Sequence, residues 1–136
     1  MKYITKYVGL DVSKDSIAVA VADEGREAPR YLGKISHDLS ALRKLLSRVG
    51  EPEMLEVCYE AGPTGYVLVR WLRAIGIKCE IIAPSLTPKR PGDRVKTDRR
   101  DALMLAQYLR AGELVPIRIP DEEDGRLRDL SRALED

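Results

Sequence analysis

At 136 residues and 44% apolar content, the chain matches one compact domain with side chains enough for a core. Twenty-three Lys and Arg against 22 Asp and Glu leave a formal charge of +1, so no global field advertises a nucleic-acid or membrane partner and any such signal must be local. The first residues show neither a signal-peptide form nor anything near the roughly 20 apolar residues that span a bilayer, which predicts a cytoplasmic protein with no membrane partner.

Three short runs open the chain: ITKYVGLDV, SIAVAVAD and RYLGKIS. They are rich in Val, Ile and Tyr and are separated by SKD and EGREAP, which predicts an antiparallel meander of two hairpins. The period then changes. Asp38 is a plausible N-cap for LSALRKLLSRV, where Leu39, Leu42, Leu45, Leu46 and Val49 mark one helical face and Gly50 with Pro52 closes it. MLEVCYEA follows as a nearly continuous apolar strand. Next come GPTG and a helix expected from about Pro63 to Ala74, with Val67, Leu68, Trp71, Leu72 and Ile75 as its apolar positions. Gly76 ends that helix, and IKCEIIAP is another strand. Strand, helix and strand with short joints form a βαβ unit, so these last two strands should be parallel. Cys58 and Cys79 lie in them without CxxC or Cys/His spacing, which predicts buried reduced thiols.

PSLTPKRPGDRV, from Pro84 to Val95, has three prolines and three basic residues and is expected to be a mobile loop. TDRRDALMLAQYLRAG is a strong helix with Ala102, Leu105, Ala106 and Leu109 inward and Gly112 as its stop. LVPIRIP is an extended exit, and DEEDGRLRDLSRALED starts a last helix whose Leu127, Leu130 and Leu134 have nothing obvious to pack on. The expected division is a catalytic domain over 1–115 and a linker with the start of a helical spacer over 116–136, in a chain cut from a longer protein.

The acids carry the chemical signal. Asp11 ends the first strand, where its flanks are apolar, and Glu60 ends the fourth. A carboxylate there is costly to bury unless it is paired or holds a cation, and open α/β sheets place their sites at strand carboxyl ends. If the fourth strand lies parallel to and beside the first, Asp11 and Glu60 become neighbours. Asp98 and Asp101, three apart, then share the face of the helix that crosses those strand ends. Four carboxylates without His or Cys suit Mg²⁺ or Mn²⁺, and two such ions about 4 Å apart can promote phosphodiester cleavage. Taken alone, Asp98 and Asp101 are ordinary first-turn helix acids; the combination with matched strand ends is what argues for a site. Lys89, Arg90, Arg94, Lys96, Arg99 and Arg100 surround these acids and could neutralise the phosphates of a polynucleotide. Lys14 and His37 read as surface residues, Tyr66 and Trp71 as core.

At this point VGLDVSKDSIAVAVAD, YEAGPTGYVLVRWLRAIGIKCEIIAP and VKTDRRDALMLAQYL resemble the N-terminal domain of DEDD-type insertion-sequence transposases, the group that also includes Piv-like DNA invertases. The resemblance implies an α/β, ribonuclease-H-like (RuvC-like) domain: a mixed five-stranded sheet with flanking helices. It also implies Mg²⁺ or Mn²⁺, as two ions, on Asp11, Glu60, Asp98 and Asp101. The family pattern E-x-T-G-x-Y is reordered here to Glu60-Ala61-Gly62-Pro63-Thr64-Gly65-Tyr66. For the complete protein the resemblance implies a DNA substrate, a guide RNA, a homo-oligomer and a further domain with a nucleophilic serine, to which no serine of this chain corresponds. Two other readings compete. One is a noncatalytic nucleic-acid-binding module; the other is a kinase or ATPase fragment of the actin-like superfold, which would need a second lobe.

Overall fold

The computed structural model describes residues 3–62, 65–83 and 97–119. The Pro84–Val95 loop, with Lys89, Arg90 and Arg94, lies outside the described residues, as do Lys96 and the helix expected after residue 120.

Three strands come first, β1 (Lys6–Val12), β2 (Ser16–Asp23) and β3 (Arg30–Ser36), followed by α1 (Leu39–Val49). A single 3₁₀ turn, Pro52–Met54, leads into β4 (Leu55–Glu60); α2 (Val67–Ala74), β5 (Lys78–Ile82) and α3 (Asp98–Ala111) complete the domain. The sheet order is β3-β2-β1-β4-β5. The first three strands are antiparallel, and β4 pairs parallel with both β1 and β5. This is the expected mixed five-stranded α/β sheet, with β1 and β4 adjacent. Residues just before and after Pro116 add to the β5 edge, through an antiparallel bridge from Pro116 to Ile82 and a 2.7 Å bond from Ile117 N to Ile81 O.

The two faces of the sheet are packed differently. Val8, Leu10, Ile17, Val19, Val21, Leu55, Val57, Tyr59 and Ile81 alternate to one face, where Leu42 and Leu46 of α1 and Leu68, Val69 and Leu72 of α2 close over them. Each such aliphatic side chain, fully buried, contributes roughly 1.5–3 kcal/mol. The other face is built of small residues over β1 and β2 and of larger ones over β4 and β5. Ala18, Ala20 and Ala22 of β2 meet Ala102 and Ala106 of α3, while Cys58 and Ile82 meet Leu105 and Leu109.

Helix boundaries follow local chemistry. Asp38 caps α1 by accepting from Ser40 N at 3.0 Å. Thr97 caps α3 through Oγ1, which accepts from Arg100 N at 3.1 Å, and Gly112 ends the helix in the left-handed conformation at φ 71°. The second helix departs from expectation. It begins at Val67 after a turn at Gly65–Tyr66, not near Pro63, and Val67 is 66% exposed, outside the core cluster.

Strand β3 carries a bulge. Ala20 pairs with Tyr31 but Val19 pairs with Gly33, so Leu32 is the extra residue, and Gly33 takes φ 125°, a conformation that costs glycine little. Past the bulge the alternation reverses: Tyr31 and Lys34 share the α3 face, and Leu32 and Ile35 pack on the opposite core.

Both cysteines are buried and free, as expected, and on opposite faces of adjacent strands. Burial pushes the Cys58 thiol well above its ordinary range and the Cys79 thiol up to about 12. Thiolate is the reactive form, so neither should react with a thiol reagent at pH 8 in the folded chain, and both should react at once in denaturant; rapid native-state labelling of either would contradict their burial. Gly9 sets the tightest contact. A Cβ there would collide with the Ala102 carbonyl and lie 2.6 Å from Ala106 N. Gly9→Ala is expected to cost about 1–3 kcal/mol or more in urea denaturation, because helix backbone cannot yield as a flexible side chain does.

Candidate functional site

Leu10 pairs with Tyr59 in the parallel β1–β4 ladder, so the next residues, Asp11, last but one in β1, and Glu60, last in β4, lie side by side at the carboxyl ends of their strands. Both alternate with Gly9 and Cys58 to the α3 face, and both are half-buried. Helix α3 runs antiparallel to β1 across that face. Ala102 and Ala106 lie over Gly9, and Leu109 reaches the cluster of Tyr7 and Cys58 nearer the strand's start. At the far end the Arg110 guanidinium donates to the carbonyls of Asp23 at 2.9 Å and Glu27 at 2.6 Å. The first turn of α3 is thereby directed toward the strand ends that bear Asp11 and Glu60.

That turn carries Asp98 and Asp101. Acids suit the first turn of a helix, where free N–H groups concentrate positive partial charge. Asp101 is the one buried charged side chain among the described residues, at 9% exposure. All four acids thus occupy one face and one end of the sheet, and each has polar or electrostatic interactions. As they lie, no three His, Cys, Asp or Glu side chains among the described residues form a group that could hold a metal ion.

One basic side chain enters this arrangement that sequence reasoning had not singled out. Lys34 Nζ stands 2.6 Å from Asp98 Oδ2, with both side chains half-exposed. The register places Lys34 opposite Ala18 and Ala18 opposite Asp11, so the lysine sits in the same cross-strand row as the first acid. The hydrogen bond and charge of Asp98 raise the lysine pKa, and Asp11 adds to the same effect. The signal that could have found it is Gly33, the residue that permits the bulge.

Tyr59, the residue before Glu60, was also missed. Its side chain crosses to the opposite core, where the hydroxyl accepts from Val69 N at 3.1 Å in the first turn of α2 and donates to Gly65 O at 3.3 Å. Tyr66, which flanks that turn, packs on the core, with the Arg70 guanidinium 5.6 Å from its ring centre. Burial drives the Tyr59 phenol far above its usual range, so it acts as a fixed neutral hydrogen-bonding group. It ties the end of β4 to the start of α2, bracketing the loop that follows Glu60. His37 has a comparable role at the β1–β2 turn: Nδ1 lies 2.7 Å from Ser13 O, and its backbone N–H donates to Asp15 O. Of the basic residues proposed for phosphate contact, Arg99 and Arg100 are exposed on α3, and the Arg99 guanidinium stacks 5.3 Å from the Tyr31 ring centre.

Residues 8–136 match the family model of DEDD transposases of the IS110 type, described as transposase. The chain belongs to that family. It is 47% identical over 133 residues to y4qE of Sinorhizobium fredii, a protein assigned as a transposase, covering 96% of this chain and 34% of that protein. It is 35% identical over 129 residues to the transposase for insertion sequence element IS1533 of Leptospira borgpetersenii, covering 93% of this chain and 37% of that one. The chain thus spans about a third of the length of the curated relatives it matches. As a DEDD transposase domain it has the ribonuclease-H-like α/β sheet described above, and no helix among the described residues is long and apolar enough to cross a membrane. Carboxylates without sulfur or imidazole are the donor chemistry that hard divalent cations take, although among the described residues no three of them stand together as a ligand group.

Tyr59→Phe should separate the role of the hydroxyl from that of the ring. With its partner removed, the Val69 N–H loses its only bond from β4, and a loss of about 1–3 kcal/mol is expected in chemical denaturation. Stability unchanged within a few tenths of a kcal/mol would show that the clasp contributes nothing.

Proposed function

We propose that this domain supplies the acid centre of a transposase that cuts and transfers DNA strands with the help of divalent metal. The observation that carries the proposal is the meeting of Asp11 and Glu60 at adjacent parallel strand ends, on the face crossed by the first turn of α3. Asp11, Glu60, Asp98 and Asp101 would hold Mg²⁺ or Mn²⁺, as two ions. When bound, the ions would supply the positive charge that activates an attacking oxygen and stabilises a leaving one.

The chain's own residues have separable tasks in this scheme. Strand backbone fixes where Asp11 and Glu60 start, so their side chains would turn, without movement of the sheet, to meet an ion. Asp98 and Asp101 are fixed by a capped helix whose far end is clamped through Arg110. Arg99 and Arg100, with Lys89, Arg90, Arg94 and Lys96 of the preceding segment, would neutralise DNA phosphates beside the acids without entering the metal shell. In this proposal residues 1–115 form the catalytic domain and 116–136 lead into a helical spacer. Guide-RNA binding and homo-oligomerisation belong to the complete protein.

Ligand linkage provides the test. Mn²⁺ or Mg²⁺ at about 100 times its Kd is expected to stabilise the chain by about 2.7 kcal/mol, a rise in Tm on the order of 10 °C. Asp11→Asn and Asp98→Asn should shrink that rise, while Glu113→Gln, at the other end of α3, should leave it intact. In the complete transposase Asp11→Asn should abolish strand cleavage and spare DNA binding. Full recombination by that variant would refute the assignment, and a metal-induced shift of equal size in all three variants would leave the protein as a nucleic-acid-binding module.

A further inference from the structure

A strictly alternating β3 would turn Lys34 away from the acids, toward the apolar core with Leu32. The bulge at Leu32–Gly33 prevents this and aims the ammonium at the α3 face, where it meets Asp98 at 2.6 Å in the row that includes Asp11. Bulges commonly re-aim one side chain beside a functional site. We propose that Lys34 is the built-in counter-cation of the acid centre: it holds Asp98 in the metal-free protein and gives it up to a divalent ion, and so sets the affinity of the site for metal. This rests on the acid-centre reading above and extends it to a positioning residue on the sheet edge.

The physical argument has three parts. Carboxylates that share one end of a sheet repel one another, and the Lys34 ammonium, paired with Asp98, is one cation that offsets part of that repulsion. A half-exposed Lys–Asp pair is weak, so a doubly charged ion can displace it. The ammonium is a compact charge on a flexible stem, able to swing off Asp98 toward solvent without disturbing the strand that carries it. A cation that neutralises Asp98 while it waits also competes with the ion that is to replace it.

Calorimetric titration of the 136-residue chain with Mn²⁺ reads the competition directly, with no need for recombination activity. Lys34→Gln is expected to bind Mn²⁺ roughly two- to fivefold more tightly than the native chain, the scale of one exposed ion pair. Lys34→Arg keeps the charge and should bind no more tightly than native. Lys14→Gln removes an equal charge from the turn after Asp11 and should gain clearly less than Lys34→Gln. In an Asp98→Asn background, where binding is weaker, adding Lys34→Gln should bring no further gain. Equal affinity in Lys34→Gln and native chains, an equal gain in Lys14→Gln, or a gain that persists without Asp98 would each overturn the competition while leaving the acid centre standing. Failure of the native chain and the Lys34→Gln variant alike to bind Mn²⁺ would instead overturn the acid-centre reading, and this proposal with it. Since Lys34 is half-exposed on an edge strand, its loss should leave the Tm close to native, which a thermal melt of each variant verifies.

Discussion

The close approach of α3 to β1 over Gly9 is the constraint on which the site depends. Helix axes usually stand well clear of a sheet because side chains fill the gap, but here glycine on β1 and alanines on β2 and α3 let backbone meet backbone. The small residues forgo much of the burial energy that leucines would bring. What they secure is position: a helix seated this closely has little freedom to slide or tilt, because every displacement meets hard backbone atoms. Its first turn is therefore held at the carboxyl ends of β1 and β4. Arg110 fastens its far end further, through two backbone carbonyls.

Charge follows the same geometry. Asp101 is buried beside Ala102 and owes its burial to the helix that carries it, since the inward face that seats Ala102, Leu105 and Ala106 against the sheet begins at that residue. Replacing the close-packed alanines by larger residues would lift the helix and also lift its acids. Packing and chemistry are coupled here through a few ångströms of interlayer distance, whereas on the opposite face large aliphatic side chains hold α1 and α2 at an ordinary separation.

Most of this could be seen in the sequence because it was written in periodicity. Strands β2 and β3 and helix α1 coincide with the runs SIAVAVAD, RYLGKIS and LSALRKLLSRV, and the N-cap Asp38 and the stop Gly112 sit at the helix ends where they were expected. The adjacency of Asp11 and Glu60 followed from one assumption, that β4 lies parallel to and beside β1, which the sheet order bears out. The failures have a common cause in long-range register. Lys34 on an edge strand looks like the ordinary lysine that protects such edges, and strict alternation puts it on the wrong face; Gly33 permits a bulge, and the pairing of β3 with β2 is what places it. Tyr59 looks like core because it is core, and its hydroxyl partners come from the Gly65 turn and from a helix that starts later than the apolar pattern suggested. Val67 fits that pattern yet faces solvent, since the turn at Gly65–Tyr66 delays the helix and rotates its first residue outward.

The two faces of the sheet therefore answer to different pressures. On the α1 and α2 side, what matters is apolar volume, and swaps among Leu, Ile and Val that conserve volume should be tolerated with modest loss. On the α3 side, the large buried side chains are confined to the β4–β5 half, and over β1 and β2 distance matters instead. There an added methyl group does more than a lost one, because it separates two layers whose spacing fixes where carboxylates stand. Such a division explains how one small sheet can combine an ordinary core with a demanding site. Strands β1 and β4 contribute to both at once, giving Leu10 and Tyr59 to the core and, one residue later, Asp11 and Glu60 to the opposite face. A shift of either strand by a single residue would exchange those pairs, burying the acids among leucines and turning the core side chains toward α3. The apolar packing of Leu10 and Tyr59 is thus what holds the two carboxylates in register, and the stability of one face secures the chemistry of the other.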